Sequence, residues 1–132
     1  MAGRSKGIFM TDFKILSANT ILYCRKWKET VGFYRDDLSL NIRFTTDWFV
    51  EFQLSDTSRL SVADQARSSV KASPSSGLTI ALEVSDIESA RETFEKRGLN
   101  PTEIKDHPWD ARVCYIWDPE GRRIEIWQAR TG

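Results

Sequence analysis

Few side chains in this sequence are equipped for acid–base, nucleophilic or metal chemistry. One histidine is present, His107, in the stretch KDHPWD. Imidazole is the commonest metal ligand, but a lone histidine just before Pro108 reads as a surface turn residue. The two cysteines, Cys24 and Cys114, each lie inside an apolar, strand-like run. They read as small buried hydrophobes rather than nucleophiles or disulfide partners. What remains is a set of carboxylates among aromatic residues. The chain has five tryptophans in 132 residues, and glutamates such as Glu51, Glu83 and Glu125 lie in strand-like runs beside aromatic side chains. Ring faces next to carboxylates suit a flat or cationic ligand through stacking and cation–π contact. The plainer alternative is that the rings fill a core and an interface.

Composition narrows the partners. Apolar residues make up 40% and charged residues 29%, the balance of a globular domain. Nineteen Lys and Arg offset nineteen Asp and Glu, so there is no basic excess of the kind that binds nucleic acid. No apolar run approaches the roughly 20 residues needed to cross a bilayer, so no membrane partner is expected. The opening MAGRSKGIF lacks the apolar stretch of a secretory signal, and a cytoplasmic location is expected. Met10 looks like a second start. Residues 1–9 read as an extension outside the fold, disordered or left by cloning.

The elements that position these residues follow from periodicity. Residues 18–24 form a short buried strand. Residues 26–38 have helical spacing, with Trp27, Val31, Tyr34 and Leu38 on one face. Three strand-like segments follow, at 41–46, 48–54 and 59–64, the last two split by the turn composition Ser55-Asp-Thr-Ser58. Residues 65–77 are serine-rich and polar, a linker or mobile loop. Residues 78–84 are again a strand. Ser85 with Glu88 forms a capping-box signature, and Ile87, Ala90 and Phe94 share a helix face that stops at Gly98. Strands at 101–106, 112–117 and 122–128 complete the chain, the last two joined by the turn Asp118-Pro-Glu-Gly121. The order is βαβββ, linker, βαβββ. Asn19 and Thr79 stand in register at an offset of 60, and the same offset brings Tyr34 onto Phe94, as a duplication would. The fold class is therefore α+β: a single domain over 10–132, with module one at 10–64, a linker at 65–77 and module two at 78–130.

Three stretches carry a family resemblance. FYRDDLSL (33–40), VSDIESARETFEKRGL (84–99) and WDPEGRRIEIWQ (117–128) resemble the first-half signature, second-half helix and closing hairpin of the vicinal-oxygen-chelate superfamily. Glyoxalases, ring-cleaving dioxygenases, fosfomycin-modifying transferases and bleomycin-binding resistance proteins belong to it. The resemblance implies a curved mixed sheet around a cavity, and often a homodimer with the cavity near the interface. One fold with so many chemistries does not give function by itself.

The resemblance also implies four repeat-related positions for a divalent metal. They fall on Asn19, Ser61, Thr79 and Glu125, and only Glu125 matches the usual ligand types. Zinc, iron and nickel favour imidazole and carboxylate, so no metal and no other cofactor is expected. Counting alternate residues from these positions turns Tyr23, Phe49, Glu51, Glu83, Tyr115, Trp117, Arg123 and Trp127 toward the cavity. Trp48 and Trp109 fall at its rims. Glu51 or Glu83 could simply pair with Arg59, Arg112 or Arg123. Glu125, at the cavity's centre, could serve as a general base or acid once desolvated.

Three functions compete. The leading one is a binding protein that sequesters or senses a flat or cationic small molecule in this aromatic and carboxylate cleft. The second is an enzyme, either a metal-dependent lyase or dioxygenase with a non-standard ligand set or a metal-free isomerase or hydrolase using Glu125. The third is a regulatory or structural partner with a vestigial cavity.

Overall fold

The computed structural model describes residues 15–69, 78–107 and 111–130. Trp109, residues 1–9 and most of the linker, 70–77, lie outside the described residues.

Two four-stranded mixed sheets carry the fold. The first runs from β1 (Ala18–Cys24) through α1 (Trp27–Gly32) to β2 (Asn41–Thr45), β3 (Phe49–Gln53) and β4 (Ser58–Asp64). The second runs from β5 (Thr79–Glu83) through α2 (Ile87–Lys96) to β6 (Lys105–His107), β7 (Ala111–Trp117) and β8 (Arg123–Ala129). Their strand orders are β1-β4-β3-β2 and β5-β8-β7-β6. In each, the first strand pairs in parallel with the fourth and the other neighbours are antiparallel. The two βαβββ modules thus repeat in topology as well as in order.

Alternation separates the two faces of each sheet. Leu22, Cys24, Val50, Phe52, Leu60 and Val62 in the first sheet, and Ile80, Cys114, Ile116, Ile124 and Ile126 in the second, are buried on the helix side. They form one continuous core with Val31, Phe33, Tyr34 and Ile87 from the helical segments. Removing such side chains from water supplies the bulk of the folding drive, at about 25 cal/mol per Å² of apolar surface.

The helices are fixed by specific contacts. Trp27 Nε1 donates to the Val62 carbonyl at 2.9 Å and anchors the start of α1 to β4. The expected helix over 26–38 is continuous only to Gly32; residues Phe33–Asp37 widen into a π-type turn, closed by the Leu38 N–H on the Phe33 carbonyl. The cap of α2 is Asp86 rather than Ser85: its carboxylate accepts the Ser89 N–H at 3.1 Å, the N3 geometry that an N-cap carboxylate satisfies. The Gln128 side-chain oxygen accepts the Ile87 N–H and pins the same end to β8. Gly98 (φ +76) then ends the helical segment in the left-handed region open to glycine. The strand expected at 101–106 is confined to Lys105–His107. Pro101 has no N–H to offer, and Thr102 meets β7 partly through its hydroxyl, which accepts the Tyr115 N–H at 2.9 Å.

The halves meet through their helix sides and turns. Tyr34 Oη donates to Asp118 at 2.8 Å, and Arg122 donates to Asp118, to Cys24 Sγ and to the Tyr23 carbonyl. At the C-terminal end of α2, Arg97 donates to the Asp37 carbonyl at 2.6 Å and to Ser39 Oγ at 3.0 Å.

Candidate functional site

The faces turned away from the helices hold the residues that alternation singles out. On the first sheet, Ile21 lies opposite Ser61 and Ser61 opposite Glu51; Tyr23 lies opposite Ala63 and Ala63 opposite Phe49. A bulge in β2 leaves Arg43 unpaired and sets Phe44 across from Glu51. Phe44 and Phe49 contact with ring centres 6.5 Å apart, and Trp48 meets Phe49 edge-on at 5.6 Å. Glu51 is neutralised here. Arg59 Nε stands 3.3 Å from its carboxylate and Arg43 Nη1 at 3.4 Å. Pairing with Arg59 is within reach of the sequence; the second guanidinium arrives only because of the bulge.

On the second sheet, Tyr115 lies opposite Glu125, Trp117 opposite Arg123 and Val113 opposite Trp127. Across the parallel pair, Thr79 lies opposite Arg123, Ala81 opposite Glu125 and Glu83 opposite Trp127. Tyr115 and Trp117 are 6.4 Å apart, with planes inclined by 40°. The Arg123 guanidinium stands 5.5 Å from the centre of the Tyr115 ring, within cation–π range. Its Nε and Nη2 donate to Thr79 Oγ1 at 2.9 and 2.7 Å. Among the described residues Glu83, Arg123 and Glu125 have no ion-pair partner. The second sheet therefore collects Glu83, Tyr115, Trp117, Glu125 and Trp127 on one face, while Tyr23, Phe49 and Glu51 share the other sheet. The contacts found among these residues run within one sheet or the other.

Three of the four positions aligned with a metal site are engaged by one another or by arginine. Ser61 Oγ donates to Asn19 Oδ1 at 2.9 Å. Thr79 Oγ1 accepts two N–H groups of Arg123, which uses both lone pairs of a hydroxyl. Glu125 is the one carboxylate of the four. A neutral amide, two hydroxyls and one carboxylate do not fit a divalent transition metal, and a guanidinium beside them opposes its charge. Among the described residues no three His, Cys, Asp or Glu side chains gather into a group that could hold a metal. His107 sits at the end of β6, opposite Ala111.

Neither cysteine is an activated nucleophile. Both are free and fully buried. Burial pushes the Cys24 thiol up, against the opposing pull of the Arg122 guanidinium beside it. Burial does the same to Cys114. A catalytic thiol needs the opposite shift.

A groove of about 780 Å³ opens elsewhere, along the free edge of β5. Leu38, Leu40, Leu54, Leu78, Phe94 and Ile126 line it, with the hydroxyls of Thr20, Ser55 and Ser58. Of the residues expected at the site only Thr79 and Glu83 border it, because β5 is an edge strand whose two faces both reach the groove. The sequence offers no local signal for this groove, since it is assembled from the ends of elements in both modules.

Paired βαβββ modules with open sheet faces define the class of protein. The glyoxalase-like domain model matches residues 17–130, and the chain belongs to that family. Among solved structures, it is similar to a glyoxalase/bleomycin resistance protein/dioxygenase from Nocardioides (24% identity, TM-score 0.75, 94% of this chain and 89% of that one). It is also similar to a lactoylglutathione lyase from Agrobacterium tumefaciens (19% identity, TM-score 0.70, 86% and 92%). An antibiotic-binding protein from Streptomyces sp. CB03234 aligns at 16% identity and a TM-score of 0.74, over 90% and 98%. No curated protein sequence matches significantly. At these identities the structural likenesses establish the fold alone.

Proposed function

We propose that this protein binds a flat small molecule on the open face of its second sheet, sequestering or sensing it without a metal. The observation that carries this reading is the set Tyr115, Trp117 and Trp127 beside Glu83, Arg123 and Glu125, three charges with no ion-pair partner among the described residues. Rings supply contact area at low entropic cost, and charged groups left without partners are open to a ligand. The antibiotic-binding relative from Streptomyces supports small-molecule capture on this fold. The donor set at Asn19, Ser61, Thr79 and Glu125 supports a metal-free site.

A homodimer completes the reading. Ile21, Phe44 and Trp117 are 40%, 54% and 45% exposed, an apolar allotment that a second copy could cover. Among the described residues no helix is long and apolar enough to cross a membrane, and the cytoplasmic location stays part of the proposal.

Isothermal titration and tryptophan fluorescence against a panel of flat aromatic compounds test the reading, together with elemental analysis after dialysis against zinc, manganese, nickel and iron. Saturable binding lost in Trp117→Ala and Trp127→Ala, with no retained metal, supports it. A stoichiometric metal overturns the metal-free part and makes a lyase or dioxygenase the leading function. A metal-free enzyme is the second reading. It rests on Glu125, half-buried opposite Tyr115 with no ion-pair partner among the described residues, and predicts turnover that disappears in Glu125→Gln while binding survives.

A further inference from the structure

We propose that Arg123 acts as the fixed cation of this face and selects ligands that carry a carboxylate on an aromatic ring. The inference rests on the binding reading above and adds a charge preference to it.

Three features of Arg123 point the same way. Among the described residues its charge is uncompensated: the groups holding it, the Thr79 hydroxyl and the Tyr115 ring, are both neutral. By contrast, Arg43 and Arg59 share Glu51, Arg112 pairs with Glu88 and Asp106, and Arg122 pairs with Asp118. Its orientation is set: Nε and Nη2 both bind one oxygen, which fixes the plane of the guanidinium and removes much of the rotamer entropy a free arginine would lose on binding. Its remaining donors have no partner among the described residues. Five N–H groups minus the two used by Thr79 leave the Nη1–Nη2 end open, the edge that grips a carboxylate bidentately.

The neighbours complete the selectivity. Trp117 lies directly across from Arg123, and Tyr115 lies beside it, so a ring held by its carboxylate on Arg123 can lie against aromatic surface. Glu125 points to the same face two residues along β8, its backbone about 7 Å from that of Arg123 at the rise of a strand. It opposes a second anionic group and favours a hydroxyl or amine there. The class is thus a flat aromatic acid with a hydrogen-bond donor placed to reach Glu125. Thr79, at a position aligned with a metal ligand, here tethers an arginine instead.

Calorimetric titrations of the full chain with 2-naphthoate and with the neutral, near-isosteric 2-naphthamide test the proposal. Naphthoate is expected to bind at least about tenfold more tightly, as a charge-assisted pair would give. Arg123→Gln is expected to erase that difference, with the naphthoate losing at least about tenfold more affinity than the amide. Thr79→Val, which frees the guanidinium but keeps its charge, is expected to reduce the difference partially. Equal affinities in the unmodified protein, or a difference that survives Arg123→Gln, overturn the role of Arg123 while binding itself stands. Binding of neither compound overturns both the role of Arg123 and the aromatic face as a binding site. Arg123 is exposed, and circular dichroism verifies that its variant is folded.

Discussion

Tyr34 and Asp118 stand 84 positions apart, and the Tyr34 hydroxyl donates to the Asp118 carboxylate at 2.8 Å in the protein interior. The contact joins the helical segment of module one to the last hairpin of module two. Asp118 is 5% exposed and also takes the Arg122 guanidinium at 3.3 Å. Its other oxygen accepts the Glu120 and Arg122 N–H groups that shape the turn, and Gly121 (φ +84) supplies the left-handed residue there. Every strong acceptor of this buried carboxylate is occupied.

Breaking this cluster should therefore cost more than its surface would suggest. Asp118→Ala leaves Arg122 buried without its counter-charge, and the expected loss is about 3–5 kcal/mol. Tyr34→Phe removes one hydrogen bond and retains the ring against Phe33 and Phe52; about 1–2 kcal/mol is expected. Urea denaturation reads both. An Asp118→Ala loss within about 0.5 kcal/mol, the scale of a surface change, would show that the halves do not depend on the cluster.

Alkaline pH should loosen the fold through the same residues. Burial, with the nearby Asp118 carboxylate, holds the Tyr34 phenol well above its ordinary value of 10.0. Burial raises Cys24 and Cys114 above 9.0. The folded chain keeps these protons at pH values where the unfolded chain sheds them, so the stability they contribute is whole below pH 9.0 and falls as pH rises beyond it. Urea midpoints are expected to drop from about pH 9 upward, with Tyr34→Phe showing the shallower fall above 10.0. A flat profile would contradict the buried, neutral phenol.

Thiol chemistry offers a check on the core. Cys24 and Cys114 are both 0% exposed, on the helix sides of different sheets. Neither should react with an aromatic disulfide reagent in the native state, and both should react on unfolding in urea. Immediate modification of one thiol per chain would mean that its side of the core opens readily.

Association can be probed at the open faces. Ile21→Glu and Phe44→Glu add charge to exposed apolar positions and leave the buried core untouched. Light scattering after gel filtration is expected to show a dimer for the unmodified chain and a monomer for the double variant. A monomeric unmodified chain at micromolar concentration would remove the dimer from the proposed function.

A few elements show what each level of description decides. Ile124 and Ile126 face inward while Arg123, Glu125 and Trp127 face outward, and this follows from the sequence because a strand's side chains alternate strictly. The same holds for Leu22 and Cys24 against Tyr23, and for the turn at Asp118–Gly121, whose residue types suit it locally. The βαβββ repeat was legible for the same reason: periodicity and turn chemistry are short-range. The cap at Asp86 instead of Ser85 lay one residue from the expected position, because both side chains can cap and only the path of the chain chooses between them. Longer-range choices belong to the tertiary structure. The bulge at Arg43 brings a second guanidinium to Glu51, the tether between Arg123 and Thr79 needs β5 laid beside β8, and the Tyr34–Asp118–Arg122 cluster needs the two modules docked. Each joins residues distant in the chain, and sequence spacing carries no record of which distant partners packing brings within hydrogen-bond reach.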